Sequence, residues 1–379
     1  MERKIGLTLA LLLMGMALMA NLLIDTRGTL DVETEGSSSS STTPTQRQDS
    51  FSLLSAPPPT EWNQTYGGTG DEIAFALVQT ADGGYALAGY TNSSGAGYDD
   101  VWLIKTDAYG NHQWNKTYGG TGYDWALDLV QTADGGYAIA GFTNSFGAGS
   151  YDFWLVKTYA NGNHQWNKTY GGTGNDGAYA LVQTADGGYA LLGDTDSFGA
   201  GYTDVWLVKT DASGNHQWNK TYGGTYGDYG SDLVQTADGG YALAGDTLSF
   251  GAGFGDFWLV KTYANGNHQW NKTYGGTDPE WYFEGLAQTS DGGYAISGRT
   301  LSFGAGSYDF WLVKTDASGM HEWNQTYGGT GNDGAFGKLV QTVDGGYAIA
   351  GYTFSFGAGL GDFWLVKTDA SGMHEWNQT

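Results

Sequence analysis

The chain has 379 residues, with 40 acidic against 16 basic side chains, a formal charge of −24 and no cysteine. So acidic a surface repels phosphates, which argues against nucleic acid as a partner. Without cysteine there can be neither a disulfide nor a thiolate metal site.

At the amino terminus, Met1-Glu-Arg-Lys4 precedes a run from Ile5 to Ile24 broken only by Thr8, Asn21 and small residues. A basic flank before about 20 apolar residues marks a cleaved secretory signal peptide or an uncleaved signal-anchor helix over residues 1–24. Arg3 and Lys4 stay inside, so the remainder is expected outside the cell, exported or at its surface. Residues 25–60 lack periodicity and contain Ser37 to Ser41, Thr42-Thr-Pro44 and Pro57-Pro-Pro59. Such a segment buries no core and reads as a disordered, solvated stalk.

From residue 61 onward one phrase of 52 or 53 residues repeats. Trp-Asn-x-Thr recurs at Trp62, Trp114, Trp166, Trp218, Trp270, Trp323 and Trp376, and Asp-Gly-Gly-Tyr at Asp82, Asp134, Asp186, Asp238, Asp291 and Asp344. A fixed period of this size marks stacked supersecondary units. In the second unit Leu127 to Thr132 is rich in β-formers, and Asp134-Gly-Gly136 supplies a tight hairpin turn. Tyr137 to Thr143 alternates large and small residues, a strand signature. Asn144 to Gly149 reads as a loop, and Phe153 to Thr158 as a strand apolar on both sides. A turn at Asn161-Gly-Asn163 leads to a fourth strand, His164 to Tyr170.

Four antiparallel strands per unit, repeated six times, make an all-β fold of propeller blades over residues 61–379. Tyr85 and Leu87 would project to one face of a blade and Ala86 and Ala88 to the other, so a large face meets a small one on the next. Parallel β-helix coils are shorter and lack two fixed hairpin turns, which disfavours that alternative. Trp-Asn-x-Thr occurs seven times and the other strands six. Six blades with one copy spare is the simplest count, and seven blades the alternative.

Three of these phrases, Tyr-Gly-Gly-Thr-Gly-x-Asp, Asp-Gly-Gly-Tyr-Ala-x-Ala-Gly-x-Thr and Asp-Phe-Trp-Leu-Val-Lys-Thr, recur in the same order. In them the chain resembles the bacterial and archaeal β-propeller repeat often called SBBP, across all six units. That resemblance implies a secreted or surface protein more than an activity. Lys209-Thr-Asp-Ala-Ser-Gly-Asn-His-Gln-Trp218 also looks like the Asp…Gly…Trp phrase of quinoprotein (PQQ) repeats. Its Asp-to-Gly step is one residue short and the Ala-Leu before Asp is missing, so no quinone site is carried across.

Propeller topology puts the loops that lead into the inner strands on one face with the loops between the second and third strands. On that face Glu72, Asp124, Asp176, Asp228, Glu280 and Asp333 fall in equivalent positions, a ring of six carboxylates near the channel mouth. Hard oxygen ligands suit a cation, Ca2+ above all. Further out, Phe146, Phe198, Phe250, Phe303 and Phe356 would ring the rim as surfaces for sugars or a partner protein, with Ser94 replacing Phe in the first unit. The bland reading is that each acid accepts hydrogen bonds from its own Gly-rich loop and each Phe plugs a gap. A residue copied into every blade favours that reading, as it does for His112, His164, His216, His268, His321 and His374, which lie too far apart to share a metal.

Asn63, Asn115, Asn167, Asn219, Asn271, Asn324 and Asn377 each head Asn-x-Thr, and Asn92 heads Asn-Ser-Ser. In an exported chain these are glycosylation acceptors. Catalysis needs an asymmetric set of groups, and the departures from the repeat are few. They are Asp278-Pro-Glu280-Trp281 with Glu284 and Arg299, Trp125 and Asp128 in the second unit, and Lys338 in the sixth. The expectation is therefore a non-catalytic, surface-displayed binding or adhesion module for a cell-surface carbohydrate or protein, held to the membrane by its amino-terminal helix if that is uncleaved. A glycosylated structural component of the cell envelope is the first alternative, and a polysaccharide-acting enzyme or quinoprotein the second.

Overall fold

The computed structural model describes residues 62–379, apart from the side chains at 282–284. The signal or anchor segment and the stalk lie outside the described residues. Among the described residues no helix is long and apolar enough to cross a membrane.

The second repeat forms a sheet of strands Asp124–Gln131, Tyr137–Thr143, Asp152–Thr158 and His164–Tyr170, antiparallel and in sequence order. Three of these match the sequence expectation to within a residue. The inner strand starts ahead of Leu127, at Asp124, because a bulge between Ala126 and Asp128 breaks the alternation there. Six sheets of this kind make an all-β, six-bladed propeller. In the sixth blade the inner strand is interrupted, pairing only through Asp333–Ala335 and Val340–Gln341.

Consecutive blades bury a large face against a small one. Between the first and second blades, Ala86, Ala88, Val101 and Leu103 pack with Leu129, Tyr137, Ile139, Trp154 and Val156. Equivalent cores lie between each later pair of consecutive blades up to the sixth. Alanine leaves room for the tyrosine opposite, as close packing requires. The outer strand adds two ties. Its Trp114 ring meets Tyr137 of the next blade edge-on at 5.8 Å, and the Tyr118 hydroxyl donates to Gly162 O at 2.5 Å.

The Asp-Gly-Gly turn is fixed from two directions. Gly135 has φ 81°, a left-handed conformation open to glycine. Asp134 accepts from the Thr132 hydroxyl at 2.5 Å and Gly136 N at 3.0 Å, and pairs with the buried Lys157 ammonium at 2.9 Å. That lysine comes from the third strand, so the hairpin is stapled across the sheet.

At the axis the repeat is broken deliberately. Lys338 precedes Gln341 by the same step that separates Asp128 from Gln131 and Asp232 from Gln235, so the three share one register position in alternate blades. Lys338 Nζ lies 3.0 Å from Asp232 and 3.4 Å from Asp128. Asp128 also accepts from Leu181 N at 2.8 Å and Asp232 from Leu286 N at 2.9 Å, each on the following blade. Burial raises the Asp128 pKa, opposed by the Lys338 charge and reinforced by Asp232. Desolvation would lower the Lys338 ammonium, but the two carboxylates raise it above the usual lysine value.

Burial alone would raise the Asp134 pKa, but Thr132, Lys157 and Gly136 outweigh it and bring the group down to about 2. Asp82, Asp186, Asp238, Asp291 and Asp344 also sit at about 2. A carboxylate depressed on folding stabilises the fold above its ordinary value of 3.8 and loses that contribution as pH falls toward 2. Through these six aspartates, urea unfolding is therefore expected to show a loss of stability between pH 4 and 2. Asp186→Asn should cost roughly 1 kcal/mol at pH 7 and little at pH 2.

Candidate functional site

The loops that lead into the inner strands and the loops between second and third strands share one face. Gly122 N donates to Ser145 Oγ at 2.8 Å and Tyr123 N to Asn144 Oδ1 at 2.6 Å, joining the two loops of the second blade. The predicted acids sit beneath this face. Asp124 accepts from the Thr143 hydroxyl, from Ser145 Oγ at 2.6 Å and from Gly120 N at 2.8 Å. Asp176, Asp228 and Asp333 have the same three kinds of donor, and Glu280 accepts from Thr300, Gly276 and Ser302 N. All five are fully buried. Glu72 is partly exposed, with Gly68 N at 3.0 Å and Thr91 at 3.0 Å. Each acid thus serves its own loop, and among the described residues no three His, Asp or Glu side chains come together as a metal-holding group.

Each of the five buried acids instead faces a third-strand carboxylate of the preceding blade. Asp152 Oδ1 and Asp176 Oδ2 lie 2.0 and 2.9 Å from the point that a Cβ on Gly171 would occupy, so this glycine leaves space for two carboxylates. Burial raises the Asp152 pKa, opposed by the Gly149 and Ala148 N–H groups, and the Asp176 charge raises it further.

The predicted rim is where the loops place it. Phe146, Phe198, Phe250, Phe303 and Phe356 are 41–44% exposed, and each leans on the third-strand Trp of its own blade. Loop-tip aromatics that the repeat pattern does not single out stand prouder. Tyr202 is 83% exposed and Phe254 76%, with Tyr98 and Tyr226 also open, and Tyr98 stacks on Tyr123 at 5.0 Å and 14°. They vary from unit to unit, so a reading built on repetition passes over them.

Asymmetry is concentrated just inside this rim, where the second residue of an inner strand pairs with the sixth of the second strand. Around the ring these pairs run Ile73/Tyr90, Trp125/Phe142, Gly177/Asp194, Tyr229/Asp246, Trp281/Arg299 and Gly334/Tyr352. Trp125 stacks on Tyr90 at 4.6 Å and 18°, and donates Nε1–H to Asp99 at 2.9 Å. Arg299 donates to the Tyr352 hydroxyl at 2.9 Å and lies 4.2 Å from the centre of the Tyr308 ring. Between them, burial pushes the Asp194 pKa well up, against a hydrogen bond from Gly230 N, with Asp246 and Asp196 adding to the rise. Of the fifth-unit departures, Asp278 bonds Ser302 Oγ through its N–H, and the Glu284 side chain falls outside the described residues.

The sequons lie on the outer strands, with Asn115, Asn167, Asn219, Asn271, Asn324 and Asn377 exposed there and Asn63 exposed ahead of the first blade. Each outer-strand Asn is engaged twice. Asn167 Oδ1 accepts Trp154 Nε1–H at 3.3 Å, and its Nδ2 meets His164 Nε2 at 2.9 Å. The same chain recurs in the other five blades, which explains the repeated Asn and His without a metal. An N-linked glycan would replace one Nδ2 hydrogen and leave the other for histidine. Asn92 is exposed and accepts from Asp71 N at 2.7 Å.

Removing one carboxylate from the buried ring strands its donors. Asp176→Ala should destabilise the fold by roughly 3 kcal/mol in urea, with or without added calcium, whereas an ion-holding ring would make the loss calcium-dependent.

No family model and no curated protein matches the chain. Solved structures similar to it include a protein from Lactobacillus plantarum, 14% identical, covering 82% of this chain and 85% of that one at a TM-score of 0.49. The Pan2 WD40 domain of Neurospora crassa is 10% identical over 78% of this chain and 75% of its own, at 0.49. BamB from Moraxella catarrhalis is 14% identical over 79% and 84%, at 0.39.

Proposed function

We propose that the chain is a surface-displayed, non-catalytic binding module of the SBBP repeat type, exported through its amino-terminal segment, and that its loop face holds carbohydrate. The observation that carries this is the concentration of exposed aromatic rings on that one face: the five rim phenylalanines with Tyr98, Tyr202, Tyr226 and Phe254. Exposed apolar surface gathered on one face of a protein marks an interaction site. Flat rings edged by carboxylates and amides suit the mixed C–H and hydroxyl faces of a sugar better than an apolar peptide. The repeated acids keep the loops rigid, so the rings are held in place before a ligand arrives, which reduces the ordering cost of binding. A polysaccharide-acting enzyme is the second reading. It is favoured by one observation, the raised Asp194 carboxyl beside Asp246 and Asp196 within the asymmetric strip.

A glycan array probed with the purified propeller tests the proposal. Tyr202→Ser with Phe254→Ser should weaken binding at least tenfold at unchanged melting temperature. Tyr109→Ser, equally exposed but on a turn at the opposite face, should leave binding intact. Binding that survives the loop-face pair, or no glycan bound at all, would refute the proposal. Turnover of a bound polysaccharide, lost in Asp194→Asn, would establish the second reading.

A further inference from the structure

The stack of blades has two ends, and they differ from the interfaces between them. The outward face of the first blade clusters Leu87 and Ile104 with Leu77 and Trp102, and with Trp62 and Tyr66 from the residues before it. The outward face of the sixth blade clusters Ala348, Ala350 and Leu365 with Trp376. Among the described residues these two clusters do not merge into a sixth shared core. Exposure agrees. Phe363 is partly exposed where Phe153, Phe257 and Phe310 are fully buried, and Trp102 is partly exposed where Trp154, Trp206, Trp258, Trp311 and Trp364 are buried. An apolar pocket opens on the first blade at this point, lined by Tyr66, Ile73, Ala74, Leu87, Trp102 and Ile104.

The two end faces are opposite halves of the interface that recurs five times. Ala348 and Ala350 correspond to Ala86 and Ala88, the small half, while Leu87 and Ile104 correspond to Ile139 and Val156, the large half. Residues 62–66 show what belongs between them. The Trp62 ring stands 5.9 Å from Tyr85, as Trp114 stands 5.8 Å from Tyr137. The Tyr66 hydroxyl donates to Gly110 O, as that of Tyr118 does to Gly162. A Cβ on Gly110 would strike the Trp62 ring, and one on Gly162 the Trp114 ring. Trp62 to Tyr66 therefore occupies the place of the outer strand of a blade preceding the first. It is not the outer strand of the sixth blade, which has its own, His374–Gln378, paired to Asp362–Thr368. Among the described residues the 62–66 segment pairs with no strand, and Asn63, Gln64 and Thr65 are exposed.

We propose that the seam between the sixth and first blades is a socket for one further repeat unit, a three-stranded meander of this same repeat. Its third strand would pair with residues 62–66, its Trp Nε1–H reaching Asn63 as Trp154 reaches Asn167. Its alanine face would cover Leu87 and Ile104, and its large face would cover Ala348 and Ala350. This occupant satisfies both halves and the waiting outer strand together. A second copy of this chain would bring a sixth blade whose outer strand already fills that place, and direct closure of the first blade on the sixth would set two outer strands against one another.

The test compares the chain as it stands with one extended after Thr379 by the sequence of residues 118–162, which carries three strands and no outer strand. Hydrogen exchange should be fast at the Gln64, Thr65 and Tyr66 amides of the unextended chain. In the extended chain it should slow at least a hundredfold at those of the three that alternate toward the added strand, with the protein still monomeric and its melting temperature raised by 5 °C or more. Trp62→Ala should abolish that slowing in the extended chain. Three results would overturn the proposal. One is that those amides are already protected in the unextended monomer, so that the ring closes on its own sixth blade. Another is that the protection arises through self-association, making a second copy the occupant. The last is that the extended chain folds but leaves the amides as fast as before. Because the first measurement uses only the unextended chain, it decides even if the extended one fails to fold.

Discussion

The whole structure depends on the meeting of a tyrosine–isoleucine–valine face with an alanine face at each blade boundary. Because Tyr137 and Ile139 fill the space left by Ala86 and Ala88, a single strand sequence must supply both halves, one on each side of the sheet. A strand shifted by one residue would present its large side chains to a large face. That requirement explains why Tyr-Ala-x-Ala-Gly recurs in the second strand, altered only at Leu192 and Ser297 in its second small position. The polar features serve the same end. The Lys–Asp staple fixes the hairpin that feeds this strand, and the Trp–Asn–His chain fixes the outer strand that covers the next tyrosine.

Much of this was legible in the sequence. Period-two alternation and the Asp-Gly-Gly turns mark the second strand to the residue, and the double-sided apolar run marks the third. The inner strand is harder, because its bulge at Ala126–Asp128 cancels the alternation that would announce it. The acids of the predicted ring each open an inner strand, but their donors, Thr143 and Ser145 in the second blade, come from a loop about twenty residues away. Spacing alone could not tell a satisfied carboxylate from a ligand. Asp128 and Lys338 stand out from the repeat in sequence; that they meet across the axis follows only once alternate blades face one another.

Repetition and asymmetry divide the molecule. Residues present in every blade, such as the buried acids, the outer-strand Asn and His, and the first glycine after Tyr, are accounted for by packing and hydrogen bonding. Variation marks the loop face and the axis: Tyr98, Tyr202 and Phe254 at the tips, Trp125, Asp194, Asp246 and Arg299 within them, and the Lys338 triad below. A scaffold that rigid can tolerate change there, because loop-tip residues contribute little to the cores between blades.

The most direct test of the packing account is a volume change on the small face. Ala190 is fully buried in the core shared with Tyr241 and Leu243 of the next blade. Ala190→Leu should overfill that interface and lower urea stability by about 2–3 kcal/mol. A variant as stable as the parent would contradict the large-on-small fit from which the rest of the structure is argued.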